Sequence, residues 1–442
     1  MKISKVSIKN LKKISNLELE FSEQNRVICF VGENGSNKSS VLTYLYQMIR
    51  RTTQEKSPSD ESDIFYQGTY DISQGENEPY YFVKVHLNYN GTEYHTAEAS
   101  ISNYGLLSEE TKSKLKAEFP RIYNGENQFL QSWWSSLNPS TSSDIVKNNV
   151  LLFRPSNRFE TPSYEKKLLD DSSQMEPSIN VFGNRKFPFR VESGINEASS
   201  YFLDVLLDYF IAMNSKVPSF GLYEEFMSVL RSIDPDFAQL TINKFPNKSI
   251  SAKNLPRLDA LSSGQSDWLV TAINILVQIS ELSSRFGAVV SNPYDVSGIV
   301  FIDEIDKNYH PKLQEEIVPW FTSKFPNLQF VISTHSPYLI RSLGQDCAVV
   351  RLPEGDVLSE DFSYWDINEV SNKIFNRDLG FNPNVNEKIN QFKFFLREKN
   401  HSEAVNIYKF LSLKSTSLKQ ELNRISYTLG DDSFIEAINE SN

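Results

Sequence analysis

Apolar and polar positions alternate through the first twenty residues. Residues 2-9 (KISKVSIK) and 16-21 (NLELEF) alternate apolar and polar side chains, with one slip between Ile3 and Val6, close to the period of a half-buried strand. At 26-32 (RVICFVG) the alternation becomes a continuous apolar run ending on a glycine, which predicts a strand buried on both faces. A helical pattern follows from Lys38 to about Arg50, then a polar, aperiodic stretch (RTTQEKSPSDESD) that predicts a loop or disordered insertion. At 80-97, YYFVKVHLNY and TEYHTAEA flank Asn90-Gly91, a pair that predicts a tight β-hairpin turn. A weakly patterned helix is expected at 109-117. Residues 120-260 are aromatic-rich and read mainly as helix, with amphipathic segments at 195-213 and 222-231. No sustained heptad occurs, which excludes a long coiled-coil arm.

Regular order returns after residue 260. A helix is predicted at 265-285, a buried strand at 298-303 (GIVFID), a helix from near Pro311, and another buried strand at 328-334 (LQFVIST). A short helix from Pro337 and a strand at 347-352 (CAVVRL) complete the series. Strands alternating with helices predict an α/β core with a largely parallel sheet. The tail from about 366 is nearly all helical, interrupted near Gly380, Pro383 and 412-417, and predicts a separate small helical domain.

With 442 residues the chain is long enough for a large core without disulfides or a structural metal. The two cysteines, Cys29 and Cys347, lie far apart in apolar runs, which excludes a disulfide scaffold and points to a reducing cytoplasm. Five histidines leave little material for a zinc site. The 45 basic against 56 acidic residues, a net charge of -11, exclude a globally basic polynucleotide binder but not a local basic groove. The opening MKISKVSIKNLKK lacks the apolar core of a signal peptide, and no apolar run approaches a membrane span.

Four short motifs carry chemistry. Gly32-Glu33-Asn34-Gly35-Ser36-Asn37-Lys38-Ser39-Ser40 joins the apolar strand to the helix after it. In that context, backbone N–H groups and a helix N-terminus make a phosphate cradle, Lys38 reaches the β- and γ-phosphates, and the Ser39 hydroxyl ligates Mg²⁺. Glycine is usual before the lysine. Asn37 stands there, and asparagine accepts positive φ better than most residues. Val300-Phe301-Ile302-Asp303-Glu304 is an apolar strand ending in two acids, Asp303 placed to hold Mg²⁺ and Glu304 to polarise an attacking water. His335 follows the next strand and could contact a γ-phosphate. Leu261-Ser262-Ser263-Gly264-Gln265 opens a helix, a second arrangement suited to phosphate. Each motif alone also reads as ordinary structure: a strand-turn-helix, a strand cap, a capping histidine, a capped helix start.

Together, in their order along the chain, the motifs resemble the ATP-binding-cassette ATPases, in the soluble branch of SMC and RecF proteins, over residues 1-42 and 255-352. That resemblance implies a cassette head with an antiparallel β-subdomain and a mostly parallel core sheet, carrying a helical insertion and followed by an all-helical C-terminal domain. Its expected parts are 1-50 and 255-360 for the head, 51-254 for the β-hairpin and insertion, and 366-442 for the helical domain. It implies ATP and Mg²⁺, with ATP sandwiched between two heads so that Ser262, Ser263, Gly264 and Gln265 act on the partner's nucleotide. Asp306 would then fall at the head-to-head contact.

A narrower resemblance rests on GIVFIDEIDKNYHPKLQEEIVPWFTSKFPNLQFVISTHSPYLI and on the tail EVSNKIFNRDLGFNPNVNEKINQFKFFLREKNHSEAVNIYKFL. Both are similar to bacterial anti-phage ATPases: the Septu-type and retron-associated PtuA family, the AriA proteins of PARIS systems and the heads of OLD nucleases. Many of these have His-Leu-His-Pro where this chain has Asn308-Tyr309-His310-Pro311. No block of acids like that of the OLD nucleases follows residue 352. The resemblance implies an ATPase that controls a separate HNH-type nuclease, pairs with itself and acts near DNA or RNA, a retron's among them. A RecF-like repair ATPase is the alternative, and a nucleotide-gated scaffold with little hydrolysis is a third reading, motivated by Asn37.

A basic subset of the insertion, Arg154, Arg158, Lys166, Lys167, Arg185, Lys186 and Arg190, lies among Phe153, Phe159, Phe182 and Phe187. These residues either follow a nucleic-acid backbone or are solvated loop charges around core phenylalanines. Arg154 or Arg158 could instead face the nucleotide. The lysines at 2, 5, 9, 12 and 13 read as a solvated strand edge, and the family resemblance implies that this region could also approach DNA. The run QSWWSSL and the aromatics at 201-210 are candidate partner surfaces or core.

Overall fold

The computed structural model describes residues 1–53, 78–119, 130–156, 190–191, 222–238, 240–243, 249–252, 261–286, 293–375, 383–429 and 434. Strands β1 (Lys2–Leu11) and β2 (Ile14–Glu20) alternate buried and accessible residues, as their sequences do. Strand β3 (Val27–Val31) is buried throughout, and helix α1 (Lys38–Thr53) follows it. Strands β4 (Tyr80–Tyr89) and β5 (Thr92–Ile101) form the expected hairpin, with Asn90 and Gly91 at φ of 52° and 75° in its turn. Then come α2 (Glu109–Glu118), β6 (Leu130–Ser135), α3 (Pro139–Asn148), β7 (Asn149–Arg154), β8 (Arg190–Val191) and α4 (Leu222–Ile233). The hairpin β9 (Leu240–Asn243) and β10 (Ser249–Ala252) precedes α5 (Ser263–Phe286), β11 (Ser297–Ile302), α6 (Pro311–Lys324) and β12 (Leu328–Ser333). The short helix α7 (Pro337–Arg341), β13 (Cys347–Arg351), β14 (Asp356–Leu358) and α8 (Ile367–Phe375) follow.

Contacts divide the chain between Val370 and Ser371 into two compact units. The first holds a five-stranded sheet in the order β2-β1-β4-β5-β6, antiparallel at every pairing. It also holds a seven-stranded sheet in the order β14-β13-β3-β12-β11-β7-β8, in which only the β13–β14 pair is antiparallel. An antiparallel sheet beside a mostly parallel core sheet with helices is the fold class expected. One apolar core joins the two sheets: Val83, Val85 and Leu87 of β4, Leu42, Leu45, Tyr46 and Ile49 of α1, and Ile299 and Phe301 of β11 belong to it. Helix α1 is therefore buried around most of its girth, its polar Ser40, Thr43 and Gln47 included, because both sheets lie against it. Gln329 on β12 adds a polar tie. It accepts from the Ile3 N–H at 2.7 Å and donates to the carbonyls of Ile3 and Asn25 at 3.3 and 3.1 Å.

In the described part after residue 120, the helix expected at 222-231 is present as α4 and α3 adds another, but strands that were not expected lie beside them. Residues 130–135 are the outer strand of the antiparallel sheet, and 149–154 are a buried strand of the core sheet. Trp134 is half-buried, its ring 4.9 Å from that of His95 and packed on the satellite core under α2. The expected helix at 195-213 and the aromatics at 201-210 lie outside the described residues.

The second unit contains α9 (Pro383–Arg397), α10 (His401–Ser412) and α11 (Thr416–Leu429), closed around Phe392, Tyr408, Leu411, Leu422 and Phe434. Among the described residues no helix is long and apolar enough to cross a membrane.

The parallel pairings place the candidate chemistry. Phe30 pairs with Ser333, Ile332 with Ile302, and Ile302 with Arg154. The C-terminal ends of β3, β12, β11 and β7 thus lie side by side, and the loops leaving them share one edge of the sheet. In open α/β sheets that edge is where ligands bind.

Candidate functional site

The loop after β3 is built on glycine and asparagine. A Cβ on Gly32 would fall 2.4 Å from the Leu352 carbonyl oxygen and 2.7 Å from Ser36 Oγ, so no larger residue fits. Gly35 at φ 78° and Asn37 at φ 70° both occupy the left-handed region, which curls the chain into α1. Asn37 thus stands where its type is tolerated, which answers the departure seen in the sequence. Its carbonyl accepts from the Val41 N–H at 2.9 Å, and its side-chain nitrogen is buried with no protein partner. No acidic residue sits in the first turn of α1 itself; the acids that lie near it come from the end of β11.

Lys38 is buried at the floor of this loop. Its ammonium donates to the carbonyls of Gly32 and Glu33, both at 2.9 Å, and lies 3.4 Å from Ser36 Oγ. Burial pulls its pKa down from 10.5 to about 8, while Asp303, Glu304 and Asp306 hold it up in part. Those three acids therefore lie near enough to Lys38 for their charges to act on it. Ser39 occupies the same turn, half-exposed, and its carbonyl accepts from Thr43 Oγ1 at 2.7 Å.

Asp303 follows β11 and is buried, its Oδ1 accepting from Ser333 Oγ at 2.6 Å. Adjacent residues of a strand face opposite ways. Here the strand ends first: Glu304 takes φ 48°, and its N–H donates to the same Ser333 hydroxyl at 2.8 Å. Ser333 thereby supports both acidic residues. The Glu304 carboxylate is partly exposed, 3.7 Å from Lys307 Nζ, which also donates to the Ser156 carbonyl at 2.9 Å. His335 is half-exposed after β12, and its N–H reaches Asp306 Oδ1 at 3.4 Å.

At the start of α5, Ser262 and Gln265 cap each other. The Gln265 N–H donates to Ser262 Oγ at 3.3 Å, and the Ser262 N–H donates to Gln265 Oε1 at 3.2 Å. Ser262 and Ser263 are exposed. Gly264 is buried, and a Cβ there would meet the Asn308 carbonyl oxygen at 2.9 Å and Tyr309 Cδ1 at 3.1 Å.

The sequence profile of the family described as "AAA domain, putative AbiEii toxin, Type IV TA system" matches residues 27–341, a span that holds every motif above. The chain belongs to this family. It is similar to the "Retron Ec83 probable ATPase" of Escherichia coli, with 22% identity over 78% of this chain and 70% of that one. It is also similar to the "Septu protein PtuA" of Bacillus thuringiensis, with 21% identity over 93% of each chain. Among solved structures it is similar to an SMC head bound to the C-winged helix domain of ScpA, with 14% identity and a TM-score of 0.46 over 82% of this chain and 99% of that one.

In this AAA-family chain two lysines read as strand edge prove to be part of the loop's surroundings. Lys12 Nζ donates to the buried Ser40 hydroxyl at 2.8 Å, and Lys13 Nζ lies 3.3 Å from where a Cβ on Gly35 would stand. Both leave the β1–β2 turn, and the sequence signal was a lysine pair at that turn beside Asn10, which takes φ 52°. Lys5, by contrast, is the solvated edge expected, paired with Glu20 at 3.0 Å. Arg154 corrects another expectation. Its side chain has no solvent exposure and donates to Asp267 Oδ1 at 2.7 Å, so it belongs to the interior and not to a nucleic-acid surface. The backbone of Arg190 pairs with Leu152, while Arg158, Lys166, Lys167, Arg185 and Lys186 lie outside the described residues.

Proposed function

We propose that this chain binds and hydrolyses ATP, with Mg²⁺, as the ATPase subunit of a bacterial anti-phage defence complex, and controls a separate HNH-type nuclease. The observation that carries the chemistry is Lys38, buried in a glycine-built loop with Asp303, Glu304 and Asp306 around it at one sheet edge. The defence role is supported by the family and by relatives named for retron and Septu systems.

The residues fit the ligand. A curled loop, a buried polar nitrogen on Asn37 and a helix N-terminus with no acid in its own first turn suit polyphosphate. Lys38 would leave the two carbonyls for the β- and γ-phosphates, and Lys12 and Lys13 would add positive charge. The buried carboxylate of Asp303 and the hydroxyl of Ser39 are hard oxygen donors of the kind magnesium takes alongside phosphate. Bound Mg²⁺ supplies charge neutralisation at the phosphate oxygens. Glu304, partly exposed, would accept a hydrogen bond from the attacking water and orient it. His335 would face the terminal phosphate from the neighbouring strand. Exposed Ser262 and Ser263, with Gly264 and Gln265, would meet the nucleotide of a second copy, which makes the working unit a pair of heads or a larger assembly. Asp306 would lie at their contact.

Glu304→Gln tests this reading. It keeps shape and removes the base, so steady-state ATP turnover is expected to vanish while ATP-bound pairs accumulate, read by light scattering. A purified wild-type chain with no turnover would sink hydrolysis in favour of the scaffold reading. Co-purification with the products of neighbouring genes tests the nuclease: recovery of a repair or replication partner alone would favour the RecF-like alternative.

A further inference from the structure

The interior arginine, absorbed by none of the motifs, stands at a junction. Arg154 ends β7. Its carbonyl accepts from the Asp303 N–H at 2.9 Å, so its backbone is fastened to the acidic strand. Its guanidinium reaches Asp267 on α5, one turn beyond Gly264. The second oxygen of the same carboxylate, Oδ2, accepts from the Tyr309 hydroxyl at 3.2 Å. Tyr309 closes the loop that starts at Asp303, and its N–H donates to the Asp306 carbonyl at 3.2 Å. Arg154, Asp267 and Tyr309 are all buried.

A buried ion pair is a poor device for stability alone, because removing two charges from water offsets much of their attraction. Its geometry is more informative. The two oxygens of one carboxylate are held by two different elements, β7 and the acidic loop. The first turn of α5 meets that loop at Gly264, where no Cβ has room. Turning or sliding α5 by about 1 Å would stretch both hydrogen bonds past good geometry.

We propose that Tyr309 and Arg154 are positioning residues. Through Asp267 they set the angle of the α5 N-terminus against the Asp303–Glu304 loop, and so link the two nucleotide sites of a pair. This rests on the reading above, in which Ser263 and Gly264 serve the partner's ATP while Asp303 and Glu304 serve the chain's own. One head then contributes α5 to one site and the acidic loop to the other, and the cluster joins the two contributions inside a single chain. The hydroxyl is the group of Tyr309 that carries the link to Asp267, while its ring packs against Gly264.

Tyr309→Phe removes one hydroxyl and keeps the ring against Gly264. In the full chain, KM for ATP and the midpoint of thermal unfolding are expected to stay near wild type. The maximal rate is expected to fall at least fivefold, and the Hill coefficient to drop toward one. On the Glu304→Gln background the same change is expected to weaken ATP-driven pairing. A rate and cooperativity equal to wild type would reduce the cluster to packing and overturn the proposal, as would a fall in rate matched by loss of folding. Glu304→Gln alone identifies the other failure. If it shows no ATP-driven pairing, the paired-head reading fails and this proposal fails with it; if it pairs and Tyr309→Phe changes nothing, only the positioning role is lost.

Discussion

On the proposed placement of Lys38 at the phosphates, nucleotide binding is expected to depend on pH in a calculable way. Burial among carbonyls lowers its pKa to about 8 in the free protein. Phosphates in place of those carbonyls would favour the charged form and lift the value back above about 10, the ordinary lysine range. Only the ammonium makes the charge-assisted contact. Affinity is therefore level below the free-state pKa and falls above it, because binding must then take up a proton. With a free value near 8, linkage gives an affinity roughly tenfold weaker at pH 9 than at pH 7. It also gives uptake of about 0.9 proton per ATP at pH 9 and about 0.1 at pH 7. Calorimetry in two buffers of different ionisation heat reads both quantities. Lys38→Arg, which stays charged, should bind more weakly but lose the pH dependence. The same depression has a sign for folding. The unfolded chain keeps its proton up to about 10.5, so the ligand-free fold gains stability as pH rises from about 8 through that window. Level affinity from pH 7 to 9 with no proton uptake would refute the placement of Lys38 at the phosphates.

Three further outcomes follow from local geometry. Asn37→Gly keeps the backbone but removes the buried Nδ2 donor and should weaken ATP binding by up to about tenfold, whereas Asn37→Val should cost on the order of 1–2 kcal/mol in urea unfolding, because a branched residue resists φ 70°. Gln329→Leu should destabilise the first unit by roughly 3 kcal/mol, since it leaves the Ile3 N–H and two carbonyls buried without partners. Gly32→Ala should abolish nucleotide binding, read by filter retention of labelled ATP, because its methyl group would displace Leu352 or the loop.

What could be read from the chain depended on how local the cause was. β3, α1, the hairpin at Asn90-Gly91 and the strand before Asp303 are each specified by their own residues, through period, turn chemistry or a continuous apolar run. The run at 149–154 has the same apolar character as β3, but it is flanked by residues with no period. Its place between β11 and β8 depends on partners far away in sequence. Leu130–Ser135 is a strand because β5 offers it an edge, and its tryptophans say nothing of that by themselves. Asn37 was legible as an oddity and as a tolerable one, since the property that matters, its left-handed backbone, is intrinsic to the residue.

Charge was the hardest to read. Arg154, in a basic cluster on paper, is drawn inside by one carboxylate 113 positions away, and Lys12 and Lys13 are brought to the phosphate loop by a turn in the other sheet. A charged side chain shows its type in the sequence, but its role depends on whether a counter-charge is buried with it, and burial is a property of the whole fold. Asp267 illustrates this. At the head of an amphipathic helix it would be an unremarkable polar residue, yet Arg154 and Tyr309 hold its two oxygens from separate elements. One carboxylate thus ties β7 and the loop after Asp303 to the first turn of α5, a layer beneath the sheet edge, and no local pattern around Asp267 announces it.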